Sequence, residues 1–273
     1  MGKFDGILMC TDLDGTFLRN DKSISEENLA AIRYFSAEGG LFTFVTGRIP
    51  NMAEYIYDAV GTGVPVGCFN GAAIYDFAKK KFLWHTTLPH SVMELVKYVE
   101  EHVKDVGVQV NVLERAWYCR DNEAMIEFRK ITGQPHLVCD YDQIDEPIAK
   151  VIFGHVDSAK IELIRDLLAA HPRAAEFDYI RSETTLFEIL PHGVSKGGVL
   201  LKLAEVLGID PARTVAVGDY DNDVSMIRAA GVGIAVSNAC DKAKAVADLI
   251  TVSNEEHAIA RIISDLDSGV ISI

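Results

Sequence analysis

Residues 7–17 read ILMCTDLDGTF: an apolar run, then two aspartates one residue apart and a glycine. An apolar run bounded by polar turn residues is the pattern of a strand buried on both faces of a parallel sheet. Beyond a strand, residues i and i+2 project to the same side. Asp12 and Asp14 can therefore face one site, with Gly15 allowing a tight turn out of the sheet. Two readings stand at this point: Asp14-Gly15 is a plain turn beside an exposed strand end, or the carboxylates are gathered on a hydrophobic lip for chemistry.

Outward from this stretch, a helix is expected from about Ser25, opened by Ser23 or Ser25 with Glu26 and Glu27 in its first turn. Leu29, Ile32 and Phe35 keep helical spacing, and Gly39-Gly40 closes the helix. LFTFV, residues 41–45, is a second buried strand and ends in Thr46-Gly47-Arg48. VPVGCF runs into Asn70-Gly71, TVAVG into Asp219, and VGIAV and DLIT follow at short helix-separated intervals. This alternation predicts an α/β fold with a doubly wound, Rossmann-like parallel sheet. Ligands of such sheets bind beyond the carboxyl ends of the strands, so Asp12, Thr46, Asn70 and Asp219 are expected to converge on one crevice.

Between residues 85 and 190 the pattern changes. Helices are expected in SVMELVKYVEEHV, NEAMIEFRKITG and SAKIELIRDLLAAH, and strands in VGVQVNVL, KVIFGHV, EFDYIR and TLFEIL. The expected organisation is a first core part over 1–84, an inserted α+β domain over 85–190 and a second core part over 191–273. Pro89 and Pro191 stiffen the two crossings.

With 273 residues, 49% of them hydrophobic, the chain can form a core domain with a second module. No apolar stretch reaches the roughly 20 residues of a membrane helix, and MGKFDG enters the first strand without a signal-peptide core, so a cytoplasmic protein is expected. The five cysteines are odd in number, widely spaced and without a CxxC pair, the pattern of reduced thiols. A formal net charge of -14 excludes the basic face that a nucleic-acid binder needs, and no membrane partner is expected. An anionic substrate would have to be drawn in locally, by a metal ion or a few placed cations.

DLDGT (12–16), FVTGR (44–48), HGVSKGGVLLKLAEVLGI (192–209) and GDYDNDVSMIRAAGVGIAV (218–236) resemble, in order, the four motifs of the haloacid dehalogenase superfamily of aspartate-nucleophile phosphotransferases. The likeness is closest to its Cof-type phosphatase branch, whose large C2-type cap is inserted between the second and third motifs. It extends over essentially the whole chain.

The resemblance implies a Mg²⁺-dependent phosphatase of small phosphate monoesters, sugar phosphates or phosphorylated cofactors among them. A phosphate monoester is an anion attacked by another anion, so such a site must supply positive charge. The resemblance makes Asp12 the nucleophile, carrying an aspartyl phosphate, and Asp14 the general acid and base. It assigns the phosphate to Thr46, Gly47, Lys196 and Asn222. Its metal ligands are the Asp12 side chain, the Asp14 carbonyl and the Asp219 side chain, with Asp223 in an outer shell. A phosphosugar mutase using the same phosphoenzyme, and a non-catalytic phosphometabolite-binding protein, are the alternatives.

Several residues carry a second, plainer reading. Asp221 and Asp223 are equally first-turn acids before VSMIRAAG. Thr46 is also a loop hydroxyl that can cap the next helix, Asn70-Gly71 a plain turn, and Arg48 one half of a surface ion pair. Lys196 opens an amphipathic helix, where the macrodipole disfavours a cation by a few tenths of a kcal/mol, so an anion is expected beside it. His257 stands where relatives often carry glycine, and the other histidines lack metal-ligand spacing. In the inserted module Arg115, Trp117, Tyr118, Arg120 and Arg181 have the chemistry to touch a leaving group, and the aromatics are equally core residues.

Overall fold

The computed structural model describes residues 2–273. Its contacts divide the chain into two units: one holds the chain up to Gly47, Glu54–Trp84 and Ser195–Ile273, the other Arg48–Ala53 and His85–Val194. Residues 48–53, which the sequence reading places in the core, thus go with the second unit, where Gln134 Nε2 donates to Met52 Sδ. The second unit also runs four residues beyond the expected end at 190.

The chain begins with β1 (Leu8–Thr11), fully buried as a central parallel strand must be. Helix α1 (Glu26–Ala37) starts at Ser25, whose Oγ accepts the Asn28 amide at 3.2 Å. Strand β2 (Leu41–Phe44) follows, then helix α2 (Pro50–Val60). Strands β3 (Val66–Cys68), β4 (Ala73–Asp76) and β5 (Lys81–His85) form a small sheet in that order. The sequence reading did not mark β4 or β5.

In the second unit β6 (Gly107–Val112), β7 (Ala116–Arg120), β8 (Ile148–Gly154), β9 (Phe177–Glu183) and β10 (Leu186–Pro191) make an antiparallel sheet of order β7-β6-β8-β10-β9. Its helices are α3 (Val92–His102), α4 (Glu123–Thr132) and α5 (Ser158–Ala170). Strand alternation splits the sheet into two faces. Val108, Val110, Val151, Phe153 and Ile189 form one core with Val96 and Val99 of α3 and Ile164 of α5. Tyr118, Ile152 and Leu186 face the other way, against Met125 of α4. That face also carries buried polar side chains: Gln109, Asn111 and a Lys150–Glu188 ion pair at 2.8 Å.

Returning to the first unit, the chain adds α6 (Lys196–Leu207), β11 (Thr214–Gly218), α7 (Val224–Ala229), β12 (Val232–Ala235), α8 (Asp241–Lys244), β13 (Leu249–Ile250) and α9 (Ala258–Asp267). The parallel sheet has the order β13-β12-β11-β1-β2. Leu8, Cys10 and Ala216 pack against Val199, Leu200 and Leu203 of α6 and Met226 of α7. Phe42 and Phe44 meet Phe17, and α1 packs against β2 and α9. The strand order changes direction between β1 and β11, where ligands of doubly wound sheets bind. All five cysteines are free thiols, and among the described residues no helix is long and apolar enough to cross a membrane. His257 adopts φ +60, a left-handed backbone that suits glycine, and its Nδ1 lies 2.7 Å from Ser25 Oγ.

Candidate active site

The register Thr11↔Phe44 and Thr11↔Val217 brings the ends of β1, β2 and β11 level. The Asp12 amide donates to the Val217 carbonyl at 2.9 Å, placing the residue after β1 beside the end of β11. The chain then makes one wide turn in which the Leu18 amide returns to the Leu13 carbonyl at 2.8 Å. Gly15 sits in it at φ +77, and a Cβ there would lie 2.6 Å from Asp219 Oδ2. Only glycine lets the turn pass so close. Thr16 Oγ1 donates to Asp219 Oδ1 at 2.6 Å, and Asn238 Nδ2 donates to the Gly15 carbonyl at 2.8 Å. Asp14, on the same turn, has the Lys22 ammonium 2.7 Å from its Oδ1.

Lys196, first residue of α6, is buried with its Nζ 2.8 Å from Asp12 Oδ1 and 2.6 Å from Asp223 Oδ1. The anions that offset its position at a helix N-terminus are therefore two carboxylates of the chain itself. Burial works against its charge, but Asp12 and Asp223 outweigh burial and the net shift is upward. Asp223 Oδ2 accepts the amides of Asp219 at 2.9 Å and Tyr220 at 3.0 Å. Asp223 is thus a first-turn acid, one oxygen tying the turn before α7, and its other oxygen holds Lys196.

One oxygen from each of Asp12, Asp219 and Asp223 lies within 4.8 Å of the other two. Burial first, then the Asp223 charge, pushes the Asp12 carboxyl well above the usual range; Lys196 opposes and Asp219 adds to the rise. Asp219 is pushed from its ordinary 3.8 up to about 7, by burial and then Asp223, against the Thr16 hydrogen bond and Lys196. Three carboxylates share one ammonium, which leaves an excess of negative charge out of water. The donors are all oxygen, and Asn222 Oδ1 is a buried acceptor with no hydrogen-bond partner among the described residues. Carboxylate oxygens, excess negative charge and an acceptor for a coordinated water fit a hard divalent cation such as Mg²⁺.

Thr46 is buried two residues beyond β2, and the Val45 amide before it reaches the Thr11 carbonyl at 3.0 Å. The Thr46 carbonyl accepts the Asn70 amide at 3.0 Å. Gly47 follows so closely that a Cβ there would lie 2.9 Å from Asn70 Oδ1. Asn70 has φ +56, so it is a turn residue, and its Oδ1 also accepts from Asn222 Nδ2 at 3.1 Å. Gly71, at φ +107, abuts the Ser195 carbonyl with no room for a Cβ, setting this turn against the start of α6. The structure therefore brings together Asp12, Asp219, Asp223 and Lys196, and links Thr46 and Gly47 to Asn222 through Asn70.

Other candidates lie elsewhere. Asp221 is a first-turn acid with Lys242 Nζ 2.5 Å away, and Arg48 donates to the Met52 carbonyl at 3.1 Å. Trp117 packs on the second unit's core, and the buried Tyr118 hydroxyl donates to Gln134 Oε1 at 2.9 Å. Arg115 pairs with Glu146, Arg120 with Glu100 and Asp140, and Arg181 with Glu162, all within that unit. Sequence reasoning overlooked Thr16, Lys22 and Asn238. Thr16 lies inside the DLDGT motif itself, and nothing in local pattern marked the other two.

Residues 9–263 match the haloacid dehalogenase-like hydrolase family. The chain is 28% identical to the 5-amino-6-(5-phospho-D-ribitylamino)uracil phosphatase YitU of Bacillus subtilis, covering 94% of this chain and 96% of that one. With YwtE of the same organism, which bears the same activity name, it shares 29% identity over 94% and 97% of the two chains. A solved haloacid dehalogenase-like hydrolase from B. subtilis superposes with a TM-score of 0.84 at 25% identity, over 94% of this chain and 98% of that one. The chain belongs to the haloacid dehalogenase-like hydrolase family, and it is an enzyme of that family's phosphatase type.

Proposed function

We propose that the protein is a Mg²⁺-dependent phosphatase that hydrolyses small phosphate monoesters through an aspartyl phosphate on Asp12. The observation that carries this reading is the Lys196 ammonium between Asp12 and Asp223 with Asp219 alongside: a nucleophile held in place and a cluster short of positive charge. Asp12 and Asp219 side chains with the Asp14 carbonyl would hold Mg²⁺. Asp223, its two oxygens engaged by Lys196 and two amides, would act from outside that shell. When bound, Mg²⁺ supplies the positive charge that lowers the repulsion between carboxylate and phosphate and stabilises the transferring group.

The chain's own residues divide the remaining work. Lys196 orients Asp12, and Thr46, Gly47, Lys196 and Asn222 hold the phosphoryl oxygens. An Asp12 oxygen forms a bond to phosphorus as the ester P–O bond breaks, and Asp14 gives its proton to the departing oxygen. Asp14 then takes a proton from water, whose oxygen attacks phosphorus and releases phosphate from Asp12. On this reading the inserted unit is the family's cap, the compartment is the cytoplasm, and the substrates are sugar phosphates or phosphorylated cofactors. The phosphorylated ribityl chain in the names of two relatives is a small phosphate monoester on a polyol, which supports the substrate class.

The test is a panel of phosphorylated sugars, polyols and cofactors incubated with purified protein and Mg²⁺. Phosphate release that chelation and Asp12→Asn both abolish is expected. No release from any ester, or release undiminished in Asp12→Asn, overturns the reading; isomerised sugar phosphate without net release points to a mutase instead.

A further inference from the structure

Two of the free thiols, Cys119 on β7 and Cys139, belong to the second unit. Beyond α4 the chain returns alongside β7: Tyr118 and Val138 form a parallel bridge, and the Tyr118 amide donates to the Leu137 carbonyl at 2.8 Å. Two residues on, Arg120 Nη1 donates to Asp140 Oδ1 at 3.3 Å, so the same register holds on either side of the cysteines. Neighbouring strands run about 4.8 Å apart, inside the roughly 4.4–6.8 Å between Cα atoms that a disulfide spans. The side chains point the same way. A bulge sets Tyr118 opposite Gln109 and Arg120 opposite Val108, with Cys119 the extra residue between them. Cys119 enters the core that holds Val108, and Cys139 packs against that same core. Among the described residues no third histidine, cysteine or carboxylate joins the two thiols in a metal-binding group, and zinc takes at least three protein ligands. The Arg120–Asp140 ion pair beside them is exposed and adds little stability, so a covalent link here would strengthen a weak attachment.

The geometry points to a reversible disulfide between Cys119 and Cys139, formed by exchange with a small-molecule disulfide such as glutathione disulfide, that fastens the segment after α4 to β7. The ring it closes contains α4 and Gln134, whose Oε1 accepts from Tyr118 and Gln109. Cys139 is half-buried and meets the reagent, whereas Cys119 is 6% exposed and does not. The Cys139 thiolate attacks one sulfur of the reagent, whose S–S bond breaks with its electron pair on the departing thiolate. The Cys119 thiolate then attacks Cys139 Sγ and expels the second thiolate. The two protein thiols give their protons to the two leaving thiolates, so the protein loses two electrons and the reagent becomes two thiols. Burial first, then the neighbouring Cys139, pushes the Cys119 thiol up to about 12; burial first, then Asp140, raises Cys139. Both thiols are protonated at neutral pH, so exchange is slow there and quickens as pH rises.

The experiment incubates the folded protein with excess glutathione disulfide at about pH 8.5, blocks the remaining thiols and maps the cysteines by peptide mass spectrometry. A linked Cys119–Cys139 peptide that dithiothreitol releases is expected in most of the protein, with the fully buried Cys10 and Cys68 still free. Cys119→Ala is expected to stop with glutathione on Cys139, and Cys139→Ser to leave Cys119 unmodified. The oxidised wild type should melt a few degrees above the reduced protein. No linked peptide from the folded wild type, a link that forms only in urea, or oxidised and reduced melts that coincide overturns the proposal. None of these readouts involves turnover, so the outcome is independent of the phosphatase reading.

Discussion

The Lys196 ammonium lies 2.8 Å from Asp12 Oδ1 with both side chains almost wholly out of water, although 184 residues separate them in the chain (196 − 12). Removing one side of a buried ion pair strands the other. Lys196→Met should therefore abolish turnover and, without metal, lower stability by about 3–5 kcal/mol at neutral pH. The loss should be larger at pH 8 than at pH 5, where the stranded carboxylates take up protons. Urea denaturation at the two pH values measures it.

Asp12→Asn removes a charge that burial already disfavours and leaves Lys196 paired with Asp223. Turnover should fall by about a thousandfold or more. Stability in the absence of metal should hold or rise. A large drop in melting temperature would show that Asp12 is chiefly a structural residue.

The raised carboxyls link pH, metal and stability. An acid whose folded pKa exceeds its unfolded value holds its proton more tightly when folded, so ionising it works against folding. For Asp219 the penalty is absent below about pH 4 and grows as pH rises through about 7. Asp12 is shifted in the same direction. A bound divalent cation removes the penalty, so the rise in melting temperature on adding Mg²⁺ should be larger at pH 8 than at pH 5. Scanning calorimetry with and without chelator gives that difference, and an equal rise at both pH values would contradict the assignment.

Thr16 holds Asp219 Oδ1 through a 2.6 Å hydrogen bond. Thr16→Val keeps the shape and deletes the donor. Partners that orient a metal ligand contribute about 10–100-fold in affinity, so the Mg²⁺ concentration for half-maximal activity should rise by that factor. Activity at saturating Mg²⁺ should recover most of its wild-type value.

In the second unit, Lys150→Met takes away the ammonium 2.8 Å from Glu188, in surroundings where both side chains are buried. A loss of about 3–5 kcal/mol is expected, read by denaturant unfolding. A loss below about 1 kcal/mol would show that water reaches the pair.

Much of the site was legible because burial on both faces of a parallel sheet demands apolar strands, which makes the polar residue at each end conspicuous. Asp12, Thr46, Asn70 and Asp219 were found that way, and Lys196 by a helix start that disfavours its charge. The strands β4, β5 and β7 were missed: they are short, and their sequences mix charged and aromatic residues without a clear period. Lys150 and Glu188 each sit in an apolar run, and only the register of β8 on β10 pairs them.

By itself, then, the sequence determined the strand–helix rhythm and the residue types at the strand ends, since these follow from local period and composition. Tertiary structure alone decided which oxygen of Asp223 meets Lys196 and which caps a turn. It alone brought Thr16 to Asp219 across 203 residues and Asn254 to the Leu18 carbonyl across 236. Hydrogen bonds and ion pairs depend on ångström distances between side chains that periodicity does not encode, and those distances exist only once the sheet has set its register.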